Sequence, residues 1–164
     1  MKYPEENFRY SVTRGRKRED TMLKAILSPF TEKVYAVLRI FSGFLLTFAG
    51  AQKLFGIFWP PTYPRPGVGS QVWIGAVIEL VAGTAIMLGL FTRCAAFVCS
   101  GMMAVAYWQL HVFGGQAQGI GKFLPGVNQG IPAALLCFVF LYIACKGAGP
   151  WSVDAKREAA KAGT

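Results

Sequence analysis

Four apolar stretches of bilayer length, at 34–58, 71–91, 94–113 and 128–147, constrain this chain more than any other feature of its sequence. An α-helix needs about 20 predominantly apolar residues to cross the roughly 30 Å hydrocarbon core of a membrane. Inside that core no water is present to satisfy a peptide group, so only helices and closed barrels span it. Runs of this length exclude a barrel, whose strands need only about half as many residues. The expected fold class is therefore all-α, a four-helix transmembrane bundle. Composition agrees: only 15% of residues are charged, against roughly 25% in an ordinary soluble domain. The domain reading is a polar basic tail at 1–33, a transmembrane domain at 34–147 and a second polar tail at 148–164.

Charge sets the expected orientation. The formal net charge is +9. A basic balance can mark a nucleic-acid partner, but no basic motif interleaved with aromatics is present. With both termini in the cytoplasm, 14 of the 17 Lys and Arg lie on the inner side, and only Lys53, Arg65 and Lys122 lie outside. That asymmetry is the positive-inside pattern. It predicts a multi-pass protein of the inner cell membrane that touches anionic lipid. The segment 34–58 also looks like a signal peptide, with Ala49-Gly50-Ala51 as a cleavage-like site. Three further spans with matching topology argue for a retained first helix instead.

The connections read as loops. Residues 59–70 carry four prolines, Pro60, Pro61, Pro64 and Pro66, and are irregular. Residues 114–127 are glycine-rich but lack the Gly-Lys-Ser/Thr ending of a phosphate-binding loop. Asn128 is expected to cap the fourth helix. The C-terminal tail has room for a short surface helix.

Within the second span sits Glu79, the one carboxylate inside any of the long apolar runs. Gly75, Glu79 and Gly83 recur every four residues and so share a helix face, where glycine lets a neighbouring helix approach closely. A carboxylate in hydrocarbon costs roughly 2.5–3.5 kcal/mol on insertion scales, so it is expected to face the bundle interior and to have a partner. Lys53, one turn from the outer end of span one, lies at matching depth. His111, Gln109, Trp108 and Asn128 fall at the same level and complete a candidate outward cluster. Two readings stand side by side: polar side chains that fix helix register, or a ligand pocket or proton site. A lone His with no second ligand at its depth gives no metal site.

A second, inward cluster is Arg39, Arg93 and Asp154. Asp154 is expected to fold back onto one of the two arginines and clip the C-terminal tail to the bundle. The four cysteines, Cys94, Cys99, Cys137 and Cys145, form no Cys-x-x-Cys pair and read as free thiols in apolar segments.

In order along the chain stand Arg39, then Gly50-Ala51-Gln52-Lys53, then Glu79-Leu80-Val81-Ala82-Gly83 leading to Leu88-Gly89-Leu90-Phe91-Thr92-Arg93. A helix ending in His111 follows, and then Gly147-Ala148-Gly149-Pro150-Trp151-Ser152-Val153-Asp154. This set resembles the DoxX family of small four-helix membrane proteins, over roughly residues 34–154. In the family an acid often stands three residues after the asparagine that opens the last span; here that position is Ile131. The resemblance implies a membrane subunit of a redox system linked to quinone or to thiol and sulfur chemistry. It implies no covalently bound cofactor, with a quinone as the candidate ligand, and membrane or membrane-associated protein subunits as partners. No self-sufficient catalytic motif is present, so any enzymatic role would be as a subunit of an oxidoreductase. The competing reading is a non-catalytic accessory subunit packed into a larger membrane complex. A small-solute carrier fits less well, because the chain shows neither an internal repeat nor a broken helix.

Overall fold

The computed structural model describes residues 21–62 and 64–163, and all the regular structure among them is helical. The expected basic tail at 1–20 lies outside the described residues. The chain divides into two contact units, 1–35 and 36–164. In the first, residues 21–27 are helical and Ser28–Phe30 form a 3-10 turn with Pro29 in its first positions. Helix is therefore already present at residue 21, ahead of the expected apolar boundary at 34.

Helix α1 covers Thr31–Phe55, α2 Gln71–Leu88 and α3 Thr92–Ala106. Helix α4 covers Ile131–Lys146 and α5 Val153–Ala162. Helix α3 continues without a break into π-helical turns at Tyr107–Phe113, and a 3-10 turn at Gly119–Phe123 interrupts the glycine-rich loop. Three of these segments are long and apolar enough to cross a membrane: Thr21–Phe55, Gln71–Leu88 and Thr92–Phe113. The fourth apolar helix, α4, has 16 residues, about 24 Å at 1.5 Å per residue. It is shorter than the expected span because residues 128–130 form a turn instead of its first helical positions.

Each boundary has a local cause. Ser70 caps α2 by accepting a hydrogen bond from the Trp73 N–H at 3.2 Å. Gly89 ends α2 in the left-handed conformation, φ +70°. The Leu90 N–H reaches the Ala85 carbonyl at 2.8 Å and the Gly89 N–H the Ile86 carbonyl at 3.1 Å. This is a Schellman ending, which glycine permits without a Cβ penalty. Asn128 does not cap α4 as expected. Its Oδ1 accepts from the Gly130 N–H, two residues on, and the α4 cap position, Gly130, carries no side-chain cap.

The interior is built from small side chains and a few large ones. Ala36, Ala76, Ala96, Cys99, Ile86, Phe140 and Ile143 are fully enclosed. Helix α3 packs along much of its length on α4 and more narrowly on α2; the Ser100 hydroxyl crosses to the Cys137 carbonyl at 2.9 Å. The crossing of α1 over α2 is closer still. A Cβ on Gly43 would stand 2.6 Å from the Met87 backbone nitrogen, one on Gly50 2.6 Å from that of Leu80, and one on Gly83 2.7 Å from that of Thr47. Backbone on backbone at this range is the small-residue packing typical of helices in lipid. Large apolar side chains such as Phe41, Phe97, Leu135 and Phe138 point outward, as contact with a lipid bilayer requires.

Candidate functional site

The close crossing of α1 and α2 decides where the polar side chains meet. Gly50 lies against Ala76 and Leu80. Lys53 is three residues further along α1, and Glu79 stands on the facing side of α2. The Lys53 ammonium reaches both carboxylate oxygens of Glu79, Nζ to Oε1 at 2.5 Å and to Oε2 at 2.6 Å. The Glu79 side chain is 8% exposed and that of Lys53 28%. The acid is thus enclosed while the base still faces an opening.

That opening is a groove of about 380 Å³ between α2 and α3. Ile78, Val98, Met102 and Met103 form apolar walls, and the ion pair forms the polar part of its lining. Gln71 and Gln109 also line it, and the Gln71 amide donates to the Gln109 carbonyl oxygen across the helices. Gln109 belongs to the π-helical turns. Such turns insert an extra residue into a helix and re-aim the side chains after it.

The other expected members lie elsewhere on the same π-helical segment. The His111 imidazole Nδ1 is 3.1 Å from the Asn128 carbonyl. Asn128 is buried; its amide donates to the Lys122 carbonyl at 2.7 Å and, more weakly, to the Tyr107 hydroxyl at 3.4 Å. The Tyr107 hydroxyl donates to the Phe123 carbonyl at 3.0 Å. Trp108 is half exposed and packs edge-on against Tyr107 and Phe123. These contacts tie the 114–130 loop to the end of α3. The sequence reading grouped six residues by depth. The structure gathers Lys53, Glu79 and Gln109 at the groove and gives His111, Trp108 and Asn128 to the loop anchor, because depth along a helix says nothing of azimuth.

Gln71 was missed, although an amide at the start of span two, level with Gln109, was a readable signal. Gly43 was also missed, and Gly50 was read only as part of a motif, although Ala36, Gly43 and Gly50 recur every seven residues. Gly75, expected to sit against a neighbouring helix, has open space at its Cβ position and lines the groove instead.

At the opposite end of the bundle, Arg39, Arg93 and Asp154 serve backbone groups. Arg39 is fully buried; it donates to the Ile86 and Met87 carbonyls at 2.6 and 2.9 Å and to those of Pro150 and Trp151 at 3.3 and 3.0 Å. Arg93 donates to the Ala144, Cys145 and Lys146 carbonyls at 2.9, 2.5 and 3.3 Å. The expected return of Asp154 onto an arginine is replaced by a cap. Its carboxylate accepts from the Phe91 and Thr92 N–H groups at 3.1 and 2.9 Å and from the Thr92 hydroxyl at 2.9 Å. Burial by itself would raise the Asp154 carboxyl. The Thr92 backbone and hydroxyl, the Phe91 N–H and the Arg157 charge outweigh it and hold it below its ordinary value. Cations thus sit on the carbonyl ends of α2 and α4 and an anion on the N–H end of α3, each the favourable sign for the helix dipole.

Three apolar helices of spanning length, a shorter fourth and an ion pair set in an apolar groove define a helical multi-pass membrane protein. The DoxX family model matches residues 34–112. An uncharacterized protein of Haemophilus influenzae is 38% identical over 122 residues, covering 74% of this chain and 88% of that protein. The chain belongs to the DoxX family. No solved structure matches it.

Proposed function

We propose that this protein is a multi-pass subunit of a quinone- or thiol-linked redox system of the inner cell membrane, and that the groove between α2 and α3 receives a quinone ring. The observation that carries the reading is the Lys53–Glu79 pair at the side of an otherwise apolar groove. Its volume, about 380 Å³, falls within the roughly 300–1,000 Å³ of small-molecule pockets. Its chemistry suits a flat ring that carries carbonyls: apolar walls for the ring and one cationic donor for an oxygen. Glu79 holds the Lys53 ammonium in place. The Gln71–Gln109 bridge offers a second donor. When bound, a quinone would supply the electron-accepting chemistry. Crossing by α4 as a fourth span, with both termini cytoplasmic, is part of the proposal and is supported by the 14-to-3 division of basic residues.

The test is quinone content and quinone binding of the full-length protein in a mild detergent. Extraction should recover quinone in near-stoichiometric amount. Val98→Trp, which fills the apolar wall, should lower binding of an added short-chain benzoquinone by tenfold or more while the helical content stays unchanged. A native protein that neither retains nor binds quinone would overturn the ligand reading. The accessory-subunit reading would then lead, and the groove would be a seat for a neighbouring subunit.

A further inference from the structure

We infer that the end of the bundle opposite the ion pair carries a binding site for an anionic phospholipid, its phosphate between Arg157, Lys161 and Arg93 and one acyl chain along Phe91, Cys94 and Phe97. A cleft of about 340 Å³ lies there, between the first turn of α3 and helix α5. Arg93, Arg157 and Lys161 line it, together with Asp154 and Glu158. The three cations outnumber the two carboxylates, so the cleft keeps a net positive charge. The hydrogen bonds of Asp154 to the N–H end of α3 and of Arg93 to the carbonyl end of α4 hold both side chains in place and leave both charges intact.

Depth and shape point to lipid as the source of the phosphate. Helix α3 is of spanning length from Thr92 onward, so Phe91 and Arg93 lie at headgroup level. Phe91 is 67% exposed and sits in the left-handed region at φ +47°, a costly conformation for a bulky residue. The Asp154 bond to its N–H helps hold it there, and the Arg157 guanidinium stands 5.9 Å from its ring centroid. Cys94 and Phe97 follow at helical spacing on the same side of α3, both exposed. The result is a cationic cup above an outward apolar strip, the two-part complement of a phosphate and its chain. Helix α5 is held over the cleft by its own caps: Ser152 accepts from the Ala155 N–H at 3.1 Å, and the Asp154 N–H donates to the Gly89 carbonyl at 2.9 Å.

The experiment is native mass spectrometry of the full chain in detergent, titrated with phosphatidylglycerol or phosphatidylcholine, beside thermal melts under the same conditions. Phosphatidylglycerol should be retained in preference and should raise the melting temperature. Arg157→Gln and Lys161→Gln should each lower its affinity by about fivefold, the effect of one cation at an anionic surface. Lys122→Gln, at the other end, should leave it unchanged. Lys161 lies in the exposed last turn of α5, so its variant keeps the test open even if Arg157→Gln melts early. Equal retention of the two lipids, or unchanged affinity in Lys161→Gln, would overturn the inference. So would inorganic phosphate that displaces phosphatidylglycerol at millimolar concentration, because the site would then be one for a soluble anion.

Discussion

The two ends of the bundle hold their charges in opposite ways. At the end where α2 turns into α3, Arg39, Arg93 and Asp154 are bound to backbone groups of helix termini. At the other end, Lys53 and Glu79 are bound to each other and face a groove. A helix terminus leaves four carbonyls or four N–H groups without intrahelical partners. In an apolar setting those orphans cost more than they do in water. A guanidinium that answers several at once is therefore part of the framework, and nothing else can take its place without moving backbone. An ion pair at the side of a groove depends on no terminus. Either member can turn to a ligand while the helices stay where they are. The difference separates charge used to close a fold from charge left available for binding.

The largest effect should come from Arg39. Arg39→Met would leave the carbonyls of Ile86, Met87, Pro150 and Trp151 without their donor at a fully buried position. At about 1–3 kcal/mol for an unsatisfied buried group, partly relieved by relaxation, the loss should reach about 4 kcal/mol. Reversible unfolding in mixed detergent measures it. A loss below 1 kcal/mol would mean that the framework role is wrongly assigned.

Next is the helix crossing that supplies the groove with its ion pair. Gly83→Ala puts a methyl 2.7 Å from the Thr47 backbone nitrogen, so α1 and α2 must move apart. Overpacking of this kind costs about 1–3 kcal/mol. The variant should also loosen Lys53 from Glu79. The check pairs the melting temperature with labelling of Lys53 by an amine-reactive probe, which should rise several-fold.

The ion pair itself should be weaker than a fully enclosed one, whose disruption costs roughly 3–5 kcal/mol, because the Lys53 side chain is 28% exposed. Lys53→Met and Glu79→Gln should each cost about 2 kcal/mol. The double variant should recover part of the sum, with a coupling of about 1 kcal/mol. Strictly additive losses would break the contrast between the two ends.

The smallest effect belongs to Asp154. Asp154→Asn should cost about 1 kcal/mol, the size of a lost helix cap. Its carboxyl is held below the ordinary value of 3.8 in the folded protein. Its contribution is therefore complete above the unfolded pKa and is lost as pH falls through 3.8 toward the lower folded value. Stability of the native protein measured from pH 6 downward should decline there, and the decline should flatten in Asp154→Asn.

The sequence alone determined the helices, their apolar character and the pairing of one acid with one base. Apolar run length and hydrogen bonding in lipid leave few alternatives, and a carboxylate in hydrocarbon is expensive unless it is paired or protonated. It determined less well where each helix begins. Helix is already present at residue 21, ahead of the apolar run, and α4 starts only at Ile131, because polar flanks and turns do not follow hydropathy. Only the tertiary structure decided which polar residues share a site. The sequence reading set Lys53, Glu79 and Gln109 at one depth with His111 and Asn128. The azimuth of α3, altered by its π-helical turns, sends Gln109 to the groove and His111 to the loop. Nor could the sequence show that Arg39, Arg93 and Asp154 would serve helix ends. Every residue offers the same carbonyl and almost every one the same N–H, so their unpaired state at a terminus becomes visible only when the chain has folded.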